Sequence, residues 1–258
     1  MDREDQFLYI ALALKILVLG SWFLVLGSWL LALGSWFLVL IVLVLYSLLF
    51  TLYSLFFILY SKKKMENENR EVVVYCASSA KIDRLYFDAA SELGRLLVEN
   101  GYTCINGAGK DGLMGALNDA VLEYGGRVKG IIPRFMADAG WGHSHLTETI
   151  ITETIHERKA AMVKSADAVI ALPGGVGTLE ELSEIITWRQ LGLYCKPVII
   201  LNINNYYQPL LSFFEKMISE KFMKETYRQL WEVASTPEEA VSLIRIISDW
   251  NTDYTKYD

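Results

Sequence analysis

The sequence predicts an α/β protein: a Rossmann-like parallel sheet with helices on both faces, preceded by an apolar repeat segment. Three observations carry this. From Glu71 onward, short aliphatic runs are each followed by a turn and then by apolar residues at helical spacing, the pattern of repeated βα units. Several of the runs, Ala168–Leu172 and Pro197–Leu201 among them, are continuously apolar rather than alternating, as strands covered on both faces are. Residues 1–64 show neither pattern.

That first segment has no charged residue between Lys15 and Lys62. Seven-residue repeats open with Gly-Ser-Trp at Gly20, Gly27 and Gly34, and two more open with Tyr-Ser at Tyr46 and Tyr53. The stretch is long enough for two membrane spans of about 20 residues each. Lys62, Lys63 and Lys64 would then stay cytoplasmic. The apolar part is too long for a secretory signal and has no small-residue cleavage site. A translated tandem repeat would also generate such a pattern, with Met65 as the true initiator. Two expectations therefore stand: residues 7–61 tether the protein to the cytoplasmic face of a membrane, or the protein is cytoplasmic and membrane contact arises only if residues 1–64 are expressed.

Residues 65–258 read as one domain with a sizeable core. The chain carries a net charge of −6, and its first 64 residues hold five cations against three anions, so the remainder stands at −8. That balance excludes a broad basic face and so gives no expectation of nucleic-acid binding. Cys76, Cys104 and Cys195 suit a reducing compartment and supply no disulfide framework. His143 and His145 lack the further ligands that a metal site needs, so no metal is expected.

Glu71–Cys76 reads as a buried strand ending in the turn Ala77–Ala80, with Ser78 and Ser79 where open α/β sheets bind ligands. A helix through Leu85, Leu93 and Leu97 stops at Asn100-Gly101. The strand Tyr102–Ile105 leads into Asn106–Gly115, where Gly107, Gly109 and Gly112 match G-x-G-x-x-G. The next strand, Arg127–Ile132, ends in Pro133-Arg134 without the carboxylate that would hold an NAD ribose, so NAD is disfavoured and Arg134 leaves only NADP. Phe135–Thr149 lacks periodicity and reads as a loop over a ligand site. A helix follows, with adjacent Arg158 and Lys159 near its start. Cations there oppose the helix dipole, so they imply a compensating anion unless they form a solvated pair on an exposed turn.

Ala168–Leu172 is a strand, and Pro173-Gly174-Gly175-Val176-Gly177-Thr178-Leu179-Glu180-Glu181 is a glycine turn opening a helix. Its amides and helix dipole make a phosphate cradle. Thr178–Glu181 also fits a capping box, in which both residues merely start the helix, or in which Glu181 caps it until nucleotide binds. Pro197–Leu201 is a further strand. Helices over Tyr206–Lys221 and Pro237–Trp250 complete the chain.

With these motifs in place, residues 71–245 resemble the LONELY GUY family of cytokinin-activating phosphoribohydrolases. Its P-G-G-x-G-T-x-x-E pattern is met from Pro173 to Glu181, its H-x-R-K element by His156, Arg158 and Lys159, and its G-L-M-G turn by Gly112–Gly115. The resemblance implies hydrolysis of the N-glycosidic bond of a purine nucleoside 5′-monophosphate, AMP or an N6-modified relative, without metal or other cofactor, by a homodimer. It implies catalytic roles for Arg158 and Glu181. Substrate would be bound by Ser78, Gly107, Gly109, Lys159, Gly174, Gly175, Val176, Gly177, Thr178 and Glu180, with Glu180 at the ribose. The older label of lysine decarboxylase for such sequences has little chemical support, since no pyridoxal phosphate site is evident. Ala108 interrupts what is usually a run of three glycines, Ala77 replaces a common glycine, and Ala137–Thr147 lacks the glutamate that many members place near the base or ribose. The alternative is a non-catalytic nucleotide or molybdenum-cofactor binding protein on the same fold.

Overall fold

The computed structural model describes residues 36–68 and 70–247, together with Val18, Gly20, Ser21, Trp22, Val25, Leu26, Asp249 and Trp250. The chain divides into two units, Met1–Met65 and Glu66–Asp258. Helix α1, Trp36–Glu68, contains the window Leu40–Phe57, long and apolar enough to cross a membrane at a mean hydropathy of 2.4. The repeats opening at Gly20, Gly27 and Gly34, on which a second span rests, fall largely outside the described residues.

In the second unit seven strands form one parallel sheet in the order β4-β3-β2-β1-β5-β6-β7. They are β1 Arg70–Tyr75, β2 Tyr102–Asn106, β3 Val128–Pro133, β4 Glu148–Thr152, β5 Ala168–Ala171, β6 Val198–Leu201 and β7 Glu232–Ala234. Central β1 sets Val72 opposite Cys104 of β2 on one side and opposite Ala168 of β5 on the other. The chain winds outward from β1 to β4, then restarts at β5 and winds the other way. The connections after β1 and β5 therefore leave on opposite faces, and a crevice opens at their carboxyl ends.

Helices cover both faces. Against one lie α2, Arg84–Glu99, and α3, Gly112–Glu123, which bury Leu93, Leu97, Leu113 and Leu117. Against the other lie α5, Ile155–Val163, and α6, Val176–Gln190, which bury Met162, Leu182 and Ile185. Two-sided burial is why β5, β6 and the Val72–Tyr75 part of β1 read as unbroken apolar runs, while β2 buries Thr103 and Asn106 as well.

The structure differs from expectation at the margins of the sheet. The segment read as a loop starts with a short helix, α4 Arg134–Asp138, and runs into the edge strand β4. With one long edge unpaired, β4 exposes much of Glu-Thr-Ile-Ile-Thr and so lacks a buried strand's pattern. The opposite edge, β7, has three residues. Helix α7, Gln208–Ser219, begins later than expected, after a 3-10 turn at Ile203–Asn205. Helix α8, Pro237–Ile246, ends short of Trp250.

Candidate active site

The crevice between β1 and β5 is a pocket of about 570 Å³. Three walls come from the turns that follow β1, β2 and β5: Cys76–Ser79, Gly107–Asp111, and Gly175–Glu181. Arg158 reaches it from α5, and Ile132, Met136 and Trp141 supply an apolar end. Of the sequence-predicted residues, Ser78, Gly107, Gly109, Arg158, Gly175, Gly177, Thr178 and Glu181 line it, whereas Lys159, Gly174, Val176 and Glu180 do not.

The third wall is built by the start of α6. Gly175 is the helix N-cap and no side chain caps it, so Thr178 already lies inside the first turn. The capping box proposed for Thr178 and Glu181 therefore does not form. The helix starts two residues before Thr178, which places Glu181 on the second turn, facing the pocket. The first-turn amides, without partners inside the helix, are left to bind an anion. A capping box does form elsewhere, at Thr154 and Glu157 of α5.

That box fixes the start of α5 and thereby Arg158. The guanidinium donates from Nε to the Ile131 carbonyl of β3 at 3.0 Å, and its Nη1 lies 3.3 Å from Glu181 Oε1. Both side chains are nearly buried, at 12 and 11 % exposure, and Lys159 is buried as well, so Arg158 and Lys159 are not the solvated pair on an exposed turn that sequence allowed. Burial pushes the Glu181 carboxyl above the usual carboxylate range, against the opposing pull of Arg158. Nη2 lies against Gly107, where an added Cβ would overlap it. Gly107→Ala is expected to displace the guanidinium and, if Arg158 acts on substrate, lower turnover by roughly tenfold to a hundredfold, in line with the cost of a misplacement of about 1 Å in a reacting site. Circular dichroism and a melting curve would show the fold retained; unaltered turnover would detach Gly107 from Arg158.

The anion implied by Lys159 is supplied by the protein. Lys159 is 5 % exposed and bonds both Glu180 and Glu184 of α6, the latter at 3.1 Å. Burial pulls its pKa down, but these two carboxylates outweigh burial and raise it above the ordinary lysine value, leaving it charged. Lys159 and Glu180 thus clamp α5 to α6 beside the pocket. Lys159→Met should lower stability by about 1–3 kcal/mol, because two carboxylates lose their charge-assisted partner. Thermal unfolding checks this, and an unchanged midpoint would deny the clamp.

The second wall rests on a buried amide network absent from the sequence reading. Asn106 donates to Asn118 Oδ1 at 2.6 Å and accepts from the Ala108 amide at 2.9 Å, while Asn118 donates to the Gly109 carbonyl at 3.0 Å. Ala108 has φ 62°, so the turn keeps a left-handed conformation even where alanine stands in the family's glycine run. The loop before β4 is fastened to this turn. Lys110 N donates to the Trp141 carbonyl at 3.1 Å and His143 N to the Ala108 carbonyl at 2.8 Å, which brings Trp141 to the pocket. His143 turns to Asp119 at 2.9 Å, and His145 is not among the lining residues. Arg134, considered above for NADP, is paired with Glu153 at 2.6 Å and is also outside the lining. Among the described residues no three His, Cys, Asp or Glu side chains gather as metal ligands.

A family described as "Possible lysine decarboxylase" matches residues 114–244. A probable cytokinin riboside 5′-monophosphate phosphoribohydrolase of Oryza sativa subsp. japonica, LOGL2, is 40 % identical over 74 % of this chain and 78 % of its own length. Arabidopsis thaliana LOG2, named for the same activity, is 41 % identical over 70 % of this chain and 84 % of its own. Among solved structures, TM1055 is 29 % identical with a TM-score of 0.55, covering 69 % of this chain and 99 % of that one. The molybdenum cofactor carrier protein of Chlamydomonas reinhardtii is 18 % identical with a TM-score of 0.53, covering 69 % and 97 %, a likeness of fold alone.

Proposed function

Because the chain belongs to the LONELY GUY family of cytokinin riboside 5′-monophosphate phosphoribohydrolases, we propose that it cleaves the N-glycosidic bond of a purine nucleoside 5′-monophosphate. It is an N-glycosyl hydrolase whose products are the free base and ribose 5-phosphate. The observation that carries the reading is the Arg158–Glu181 pair beside the amides of Gly175–Thr178 in one pocket.

The 5′-phosphate sits on the first turn of α6, held by amides and the Thr178 hydroxyl. This places C1′ deeper in the pocket, near Glu181. As the C1′–N9 bond breaks, its electron pair leaves with the base and the sugar gains oxocarbenium character, which the Glu181 carboxylate stabilises. The same carboxylate orients water for attack on C1′. Water adds its oxygen to the sugar, and the proton it gives up ends on the released base. Arg158 holds Glu181 ionised and in place, with Nη2 available to substrate oxygens. Met136 and Trp141 take the base, which suits an adenine with or without an N6 substituent.

The purified full chain, in detergent, is to be incubated with AMP, GMP, CMP and isopentenyl-AMP and the released base measured. Release from adenine nucleotides, and little from CMP, is expected. Tight binding of a nucleotide recovered intact would instead favour a carrier. The assembly proposed is a homodimer, checked by light scattering. The proposed location is the cytoplasm or the cytoplasmic face of a membrane, checked by fractionating cells that express the full chain.

A further inference from the structure

The phosphate cradle is flanked by a short turn built to deliver two tyrosines. Asn204 and Asn205 adopt φ 51° and 57°, a left-handed conformation that asparagine tolerates better than most residues. Asn202 fixes the turn at its base, accepting from Tyr207 N at 2.7 Å and donating its own amide to the Ala234 carbonyl of β7 at 2.7 Å. The turn emerges as Tyr206 and Tyr207, whose rings meet edge to face at 5.1 Å, with Tyr86 of α2 edge-on to Tyr206 at 6.0 Å.

Both hydroxyls donate to backbone carbonyls, one just before the glycine turn and one within it. Tyr207 bonds Leu172 O at 2.7 Å, and Tyr206 bonds Gly174 O at 2.6 Å. The second bond bears on the pocket. A trans peptide points its carbonyl and its N–H in opposite directions, so a carbonyl of Gly174 held by Tyr206 aims the N–H of Gly175 away from Tyr206. Gly175 lines the pocket and Tyr206 does not. Glycines flank this peptide on both sides, so little but the tyrosine resists its rotation.

We propose that Tyr206 is a positioning residue that holds the Gly174–Gly175 peptide in its anion-binding orientation and thereby sets the affinity for the 5′-phosphate. The inference rests on the reading of Gly175–Thr178 as the phosphate site. Tyr207, buried and bonded two peptides earlier, just past β5, serves the fold rather than the ligand.

Tyr206→Phe removes the hydroxyl and keeps the ring contacts. Steady-state kinetics with AMP should show KM raised roughly tenfold, the worth of about one well-placed hydrogen bond, with kcat within about twofold. The inhibition constants of inorganic phosphate and ribose 5-phosphate should rise by the same factor, and that of adenine should not. Tyr207→Phe is the comparator, expected to lower the melting temperature without moving the phosphate constant. Unchanged phosphate and ribose 5-phosphate constants in Tyr206→Phe would overturn the proposal, as would an equal shift for adenine. A wild-type chain indifferent to both phosphate compounds would overturn the cradle reading itself, and the role of Tyr206 with it.

Discussion

Glu181→Gln is expected to lower base release by roughly 10²–10⁴-fold, the range of a positioned general acid–base group, while nucleotide still binds. Glutamine keeps the shape and the second-turn position but can neither stabilise a cationic sugar nor take a proton from water. A melting curve and AMP binding by calorimetry separate loss of chemistry from loss of structure. Full turnover in the variant would remove Glu181 from the mechanism. The wild-type pH profile carries a second signature. Burial favours the neutral carboxyl, so Glu181 ionises at higher pH than an ordinary glutamate. In the proposed mechanism the active form is the ionised one, so kcat/KM should rise with pH through an acid limb above the usual carboxylate range. A limb at the ordinary glutamate value would contradict this.

Arg158→Lys is expected to cost roughly 10²–10³-fold in kcat, similar to the removal of one preorganised donor from an active site. The guanidinium reaches in three directions at once, to the Ile131 carbonyl, to Glu181 and toward Gly107. A lysine ammonium is a single point charge and cannot span them. Because Arg158 pulls the Glu181 pKa down, an Arg158→Ala variant should also move the acid limb of its residual activity to higher pH. Added guanidinium should restore part of the rate. An acid limb that stays put would mean that Arg158 and Glu181 are not coupled.

Legibility in the sequence followed burial. The central strands were readable because two covered faces leave few polar positions, Thr103 and Asn106 of β2 among them, and the glycine turns because few other residues serve there. The edges β4 and β7 were not, since Glu148, Thr149 and Glu232 answer to solvent rather than to a core. At the site, Gly175–Thr178 and Glu181 could be placed from local pattern. Lys159 meeting Glu180 across 21 residues leaves no periodic trace, and neither does Tyr206 meeting Gly174 across 32. The Thr178–Glu181 capping pattern pointed to a helix start that Gly175 had already made, because local sequence offers several caps and packing selects one.

The position of β1 also governs how the pocket comes into being. Its pairing with β2 joins Val72 to Cys104, but the pairing with β5 must wait for Ala168, about three times as far along the chain. Until then β1 presents one open edge, and the catalytic crevice is missing a wall. Contacts so distant in sequence are slow to form. During synthesis, therefore, active enzyme should emerge only after the turn at Gly175 has left the ribosome, and shortened chains that lack β5 should aggregate through that open edge.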